Sequence, residues 1–303
     1  MTGSRVKRYH DLTLFPISSS TFFLDMRISR VVGCIRSIVF DFVRTASGNR
    51  ELIREMVGRE IGQGHARHSL GAVWIYIQPM VIVGSYMVIF GTILGSRLAL
   101  TKEFPGNYTS YILVGITAWL LMANALGRAP DAFSGNANLV KQVVFPIETL
   151  PVSSMLACFV IYVPTFALMI AYKLVLGGGL GWLALALPLV LGLHALMCVG
   201  LTLLLSVTTP FLSDIREFVT MYMSVSMYFT PAIYLPGWVP ALLRPILYLN
   251  PFSYVVWVYQ DTLFFGEIRH GFAWVVFAFM SVGTLIAGLA VFRRVKPYLG
   301  NAL

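Results

Sequence analysis

The stretch DIREFVTMYMSVSMYFTPAIYLPGWVPALLRPILYLNPFSYVVWVYQDTLFF, residues 214–265, decides how this chain is read. A single membrane crossing takes about 20 apolar residues, and this run is more than twice that long. Pro231, Pro236, Pro240, Pro245 and Pro251 cut it into pieces. Beyond Tyr234 the pieces Gly237 to Leu249 and Phe252 to Phe265 are each too short to cross, with proline interrupting the helix between them. The economical expectation is one full span at 216–235 followed by two half-helices, within 237–265, that dip into the membrane and return. Non-helical backbone at that depth is tolerated only inside protein or along a water-filled cavity. Such a hairpin points to a pathway and not to a mere anchor.

The rest of the composition agrees with a membrane setting. Of the 303 residues 57% are hydrophobic and 12% charged, with a mean hydropathy of +0.78. Soluble domains carry about 25% charged residues. Apolar segments at about 72–94, 108–126, 151–176, 182–207 and 272–292 bring the expected total to six transmembrane helices. The fold class expected is therefore an all-α integral membrane protein with cytosolic amphipathic interface helices and two re-entrant half-helices. The net charge of +9 is distributed as an orientation signal. Lys and Arg concentrate before the first span and after the last, with Arg128, Lys141 and Arg216 between. The positive-inside rule then puts both termini in the cytosol, dividing the basic residues 17 inside to 5 outside. Such a distribution fits lipid headgroups and gives no reason to expect nucleic acid. Cys34, Cys158 and Cys198 have neither a disulfide framework nor zinc spacing. The first apolar run comes too late and is too long for a cleavable signal peptide, so the first span is expected to serve as its own insertion signal.

Residues 1–48 form a lead-in whose segment 22–44 repeats apolar positions at helical spacing with Arg27, Arg30 and Arg44 on other faces. This is the pattern of a helix lying in the membrane interface, or of one packed on a soluble partner domain. Ser47-Gly48-Asn49 is expected to break that helix, with Asn49 capping the next. Over 49–68, Leu52, Ile53, Met56, Val57 and Ile61 share one side, while Glu51/Arg54 and Glu55/Arg59 are spaced for pairing on the other. His65 and His68 could be two metal ligands without a third, or a basic turn at the headgroups. The polar segment 127–151 reads as turn, short helix, turn. A helix that short needs lipid or a partner to dock on, unless the segment is a plain loop. Asp214 and Glu217 hold the positions of a capping box at the start of span five.

No catalytic constellation is evident. Intramembrane ionisable groups are the default functional candidates, and here they are few: His194 is expected to bond a neighbouring helix, and Lys173 to snorkel outward. A proton- or ion-coupled pump without an intramembrane carboxylate lacks a means of coupling, so the energy source is expected elsewhere. The chain contains no phosphate-binding loop of the Gly-x-x-x-x-Gly-Lys-Ser/Thr type, so an ATPase would have to be a separate polypeptide. The midspan aromatics Trp74, Tyr76, Tyr86, Phe90, Trp119, Tyr162, Tyr222, Tyr228 and Phe229 could line a conduit for sugars or simply pack the core.

Four places, in order and in register, carry a resemblance over about residues 49–297. They are Asn49-Arg50-Glu51-Leu52-Ile53 leading through Ser69–Trp74 to Gln78-Pro79; Asn138-Leu139-Val140-Lys141 followed by Phe145-Pro146-Ile147-Glu148-Thr149-Leu150-Pro151; Asp214 through Thr230-Pro231-Ala232-Ile233-Tyr234; and Leu249-Asn250-Pro251-Phe252. Together they resemble the membrane subunits of ABC exporters for polysaccharides and polyol phosphates, which handle O-antigen, capsule and teichoic acid. Gln260 stands where many relatives have Arg.

The resemblance implies a homodimer with the pathway at its shared interface, in a bacterial inner membrane. Each copy would be coupled to one cytosolic ATP-binding cassette subunit, which alone binds ATP and Mg. The substrate would be a glycan on a polyprenyl or other lipid carrier. ATPase contacts would fall on Arg50, Glu51, Arg54, Glu55, Arg128, Asp131, Asn138, Lys141, Phe145, Pro146 and Glu148. The outer gate would comprise Pro231, Pro236, Trp238, Asn250, Pro251 and Gln260. Competing readings are a permease for drugs or small lipophiles and a membrane glycosyltransferase or acyltransferase built on Asp131, Glu148, His65 and His68.

Overall fold

A computed structural model describes residues 37, 39–63, 71–93, 107–136 and 146–299. Within them every regular element is helical. Helix α1 is Arg50–Gln63, α2 Val73–Val88 with a π-turn at Ile89–Ile93, α3 Tyr108–Arg128, α4 Asp131–Ser134 and α5 Thr149–Val175. A 3-10 turn at Trp182–Ala186 leads into α6, Leu187–Thr208. Helix α7 is Asp214–Ser226, α8 Arg244–Leu249, α9 Pro251–Gln260 with a π-turn at Asp261–Phe265, and α10 Gly271–Val295.

Among the described residues five helices are long and apolar enough to cross a membrane: Val73–Thr92, Tyr108–Arg128, Thr149–Val175, Trp182–Thr208 and Gly271–Tyr298. They fall where five of the six spans were expected. Pro79 and Pro164 lie inside α2 and α5 without ending them. Helix α3 is central, with 83% of its apolar window buried against 17% for α2, and it packs against α2, α5, α6, α7 and α9. Helices α6 and α10 cross at Gly200 and Gly288, where a Cβ on either would overlap the other helix's backbone.

The expected span at 216–235 differs. It is helical only as far as Ser226 and continues in turns and bends through residues 227–234. Pro231 has no N–H to extend the helix. Carbonyls around this helix end find side chains: Thr230 Oγ1 donates to Ser226 O (2.6 Å), and Asn250 Nδ2 to Phe229 O (3.1 Å). Even so, residues 214–234 follow the whole length of α3. Arg216 pairs with Asp131 just past the Arg128 end, Trp119 Nε1–H donates to Ser226 Oγ at mid-height (3.4 Å), and the Tyr108 hydroxyl donates to Ile233 O at the far end.

Three further expectations fail on local hydrogen bonding. Ser47-Gly48-Asn49 breaks the helix only at Asn49, a turn residue between helical residues 39–48 and α1, across which Asn49 N–H still donates to Thr45 O (3.1 Å) and Ile53 N–H to Asn49 O (2.9 Å). Asn49 Nδ2 also bonds Thr45 O (2.8 Å), so it belongs to the preceding turn and is no cap. The capping box at Asp214/Glu217 is not formed, since Ser213 precedes α7 in helical conformation with no side-chain cap. Lys173 does not snorkel. It is 5% exposed, donates to Gly177 O (3.0 Å) and Phe264 O (3.4 Å), and lies 4.7 Å from the Phe264 ring centroid. His194 does bond a neighbouring helix, through Nδ1 to the Tyr259 hydroxyl (3.0 Å). Most of the expected 22–44 helix, together with His65 and His68, lies outside the described residues.

Candidate functional site

One end of the bundle carries Arg128, Arg216, Arg293 and Lys296 and is here called the basic end. Helix α1 lies there because its sequence is amphipathic: Ile53 is buried, with Met56, Val57 and Ile61 packed beside it, and the helix rests on α5. Arg50, Glu51, Arg54 and Glu55 are exposed. Among the described residues no ion pair joins Glu51 to Arg54 or Glu55 to Arg59, so the charged face is left available. Arg59 instead donates to Asn136 Oδ1 (2.8 Å), tying α1 to the end of α4.

Segment 128–148 is fastened at both ends. Asp131 pairs with Arg216, which also reaches Ser134 Oγ (3.4 Å). Glu148 pairs with Lys296 (2.8 Å), and Pro146 O accepts from Thr149 Oγ1 (2.7 Å) in the turn that opens α5. A polar cavity of about 300 Å³ opens between these elements, lined by Glu60, Arg128, Asp131, Asn136 and Ser154 among others. Asn138, Lys141 and Phe145 lie outside the described residues.

The aromatic residues divide into two groups. Tyr86 and Phe90 of α2 stack 6.0 Å apart, Phe90 meets Tyr108 edge-on at 6.1 Å, and the Tyr86 hydroxyl reaches the sulfur of Met227 (3.9 Å). Tyr222 stacks on Phe218 and meets Phe252 edge-on at 5.7 Å. Tyr228 (68% exposed) and Phe229 (42%) face outward at the end of α7. These residues form one open face across α2 and α7. Trp74 is also exposed and Tyr76 half-buried, but both sit near the opposite terminus of α2. Trp119 is buried behind α7, and Tyr162 is buried with its hydroxyl bonded to Asn124 Nδ2 (2.6 Å).

Beyond α7 the chain doubles back. Trp238, in the 3-10 turn begun by Pro236, lies 5.6 Å from Tyr108 at the far end of α3. The vertex at Asn250-Pro251 then returns to mid-height, where Asn250 Nδ2 donates to Thr230 Oγ1 (3.0 Å) and Phe229 O. Asn250 Oδ1 accepts the Phe252 N–H (3.1 Å) and so caps α9, with Pro251 at its first turn, as favoured geometry demands. Helix α9 climbs to the far end again, where Gly266 abuts Gly181 so closely that neither has room for a Cβ. The first limb is less helical than expected, with α8 the only α-helix in Gly237–Leu249, because Pro240 has no donor to offer, while Pro245 sits in the first turn of α8 where none is needed. A largely apolar cavity of about 300 Å³ lies between this limb and the end of α7, lined by Tyr228, Phe229, Tyr234, Trp238 and neighbours.

Gln260 is fully buried and donates to Pro231 O (2.8 Å), which the Tyr111 hydroxyl also contacts (3.1 Å). Gly115 permits this approach, since a Cβ there would stand 2.9 Å from Ala232 Cα. The neighbouring Asp261 escapes the sequence reading. It is wholly buried, and it accepts from His270 N–H (2.9 Å), His270 Nδ1 (2.8 Å) and Trp274 Nε1–H (3.1 Å). Three donors around one carboxylate make a clasp between the hairpin and α10. The signal available was an acidic residue inside an apolar half-helix with a histidine nine residues later.

The chain matches the family described as ABC-2 type transporter over residues 51–264. It is 21% identical over 248 residues to an O-antigen export system permease protein RfbA of Klebsiella pneumoniae, covering 81% of this chain and 92% of the relative. A second such protein of that organism is 22% identical over the same coverage. The permease of that name from Myxococcus xanthus is 21% identical over 263 residues, 86% of this chain and 98% of the relative. With the match spanning more than half of its length, this multi-pass, all-helical chain belongs to the ABC-2 type transporter membrane family and is a transport subunit.

Proposed function

We propose that this chain is the permease half of an ATP-driven exporter of a lipid-linked polysaccharide, of O-antigen, capsule or teichoic-acid type. The observation that carries the reading is the path of residues 214–265. This path runs the length of α3 beside an open aromatic face, then turns back to mid-height at Asn250-Pro251 and returns. At 1.5 Å per residue α3 is about 30 Å long, the thickness of a hydrocarbon core. On that scale 214–234 is the sixth crossing, and the limbs meeting at Asn250 are re-entrant elements gating an outer mouth. The basic end lies in the cytosol by the positive-inside rule, which puts both termini there and the hairpin's open side outside, in a bacterial inner membrane.

Two copies enclose the conduit between their α2/α7 faces, whose exposed Tyr228 and Phe229 offer rings on which sugars stack. A separate cytosolic ATPase, one per copy, supplies the energy and binds ATP and Mg. It docks on the charged face of α1 and on segment 128–148, including Asn138, Lys141 and Phe145. The O-antigen export permeases named above support the substrate class. Deleting the chain from its cell should leave a completed lipid-linked glycan accumulating on the cytosolic side, relieved by the wild-type chain. If no such intermediate accumulates, or if it is still exported, the glycan assignment is refuted.

A further inference from the structure

Helix α7 is held at few points. It packs along α3, while Phe218, Met221, Val225 and Tyr228 on its other side are exposed. Ser226 is fixed at mid-height by Trp119, and the residues that follow α7 are fixed by Asn250. At the basic end Arg216 grips Asp131 Oδ1 and Ser134 Oγ, both on α4, and Ser134 Oγ in turn approaches Asp131 Oδ1 (3.5 Å). Helix α4 packs on α5 and α6, buries Phe133 against Phe292, and is linked through Asn136 to Arg59 of α1. One chain of polar contacts therefore runs from the charged face of α1 through α4 to the first turn of α7. Both partners of the Arg216–Asp131 pair are about half exposed, at 48% and 53%. Such a pair is worth up to about fivefold in an equilibrium constant, strong enough to bias a position and weak enough to release.

We infer that Arg216 and Asp131 form the joint through which movement of α1 and α4 is transmitted to α7, and through it to the hairpin. Both are positioning residues: they touch no substrate and act by setting where α7 begins. The inference rests on the export reading of the preceding subsection. Without this pair α7 keeps its mid-height anchors, so the pathway stays assembled while its inner end no longer follows α4.

The test uses the chain reconstituted with its ATPase partner in lipid vesicles loaded with the lipid-linked glycan of the producing cell. Glycan exported per ATP hydrolysed is compared for wild type, Asp131→Arg, Arg216→Asp and the exchanged pair Asp131→Arg/Arg216→Asp. Each single reversal should lower that ratio by about fivefold or more, Arg216→Asp, which lies outside the ATPase-docking segment, should leave ATP hydrolysis within about twofold, and the exchange should restore the ratio. Arg216→Gln, which removes charge without reversing it, takes the place of a reversal that does not fold. Singles at the wild-type ratio, or an exchanged pair no better than the singles, would overturn the joint. Wild-type vesicles that hydrolyse ATP without moving glycan would instead overturn the export reading, and the joint with it.

Discussion

Replacing Asp261 by Ala and by Asn should give sharply different results, and the difference can be worked from its surroundings. The wild-type carboxylate is fully buried and accepts three hydrogen bonds, two from His270 and one from Trp274. Losing one partner of a buried charged network costs about 3–5 kcal/mol. His270 keeps 30% of its side chain exposed and can recover water, so Asp261→Ala belongs at the lower end, about 3 kcal/mol. In Asp261→Asn the amide oxygen can occupy the Oδ2 position and still accept from His270 N–H and Trp274 Nε1–H. The NH2 group then donates to His270 Nδ1, with the ring proton on Nε2. Neutral bonds are weaker than charge-assisted ones, but the cost of burying a charge disappears as well, leaving a loss of about 1 kcal/mol. Reversible unfolding in mixed micelles, followed by tryptophan fluorescence, reads this directly. Trp274 is itself a donor, and Trp257 stacks on His270 at 5.5 Å. An Ala variant within about 1 kcal/mol of wild type, or an Asn variant as unstable as Ala, would refute the clasp.

The hairpin vertex offers a second test. Asn250→Ala should lose about 1–2 kcal/mol by removing the α9 cap and leaving Phe229 O without its side-chain donor. Asn250→Asp, which keeps the cap acceptor but sets a carboxylate against that carbonyl, should unfold more readily than Ala in the same micelle assay. Gly200→Ala should exceed the usual overpacking cost of about 1–3 kcal/mol, because its Cβ meets the backbone of Thr284–Leu285, which cannot rotate away. The measure is the yield of monodisperse protein, and a wild-type yield would contradict the crossing. Single cysteines at Trp238 or Tyr248, both substantially exposed, should react with an impermeant reagent added outside intact cells. Reaction only from the cytosolic side would reverse the proposed orientation.

Much of this molecule is legible in the sequence because a bilayer demands long apolar helices. Five such runs stand out whatever their neighbours, and α1 is betrayed by Ile53, Met56, Val57 and Ile61 recurring at helical spacing. The turn at Asn250-Pro251 is equally local, since proline at the first turn and a capping side chain are properties of adjacent residues. What escaped depends on partners far along the chain. Helix α7 can stop early because Thr230 and Asn250 donate to carbonyls at its end, Ser226 O and Phe229 O, and Asn250 is 20 residues beyond Thr230. Lys173 stays inside because Gly177 and Phe264 offer it carbonyls and a ring. Asp261 reads as one more interfacial acid until the fold brings His270 and Trp274 to it. Among the aromatics, pattern alone could not separate Tyr228, which faces outward, from Trp119, which lies behind α7.

The glycine crossing of α6 and α10 has a mechanical consequence. Two helices in backbone contact have no side-chain cushion between them and cannot slide or rotate without collision, so Gly200 and Gly288 weld them into a single strut. That strut bears on α5 through α6 and on the hairpin through α10. Helices α2 and α7, with most of their outer surface uncovered, carry no comparable bond to it. The welded pair is therefore the stiff part of the molecule, and the aromatic face, which shares no such contact with it, is the part least tied to it.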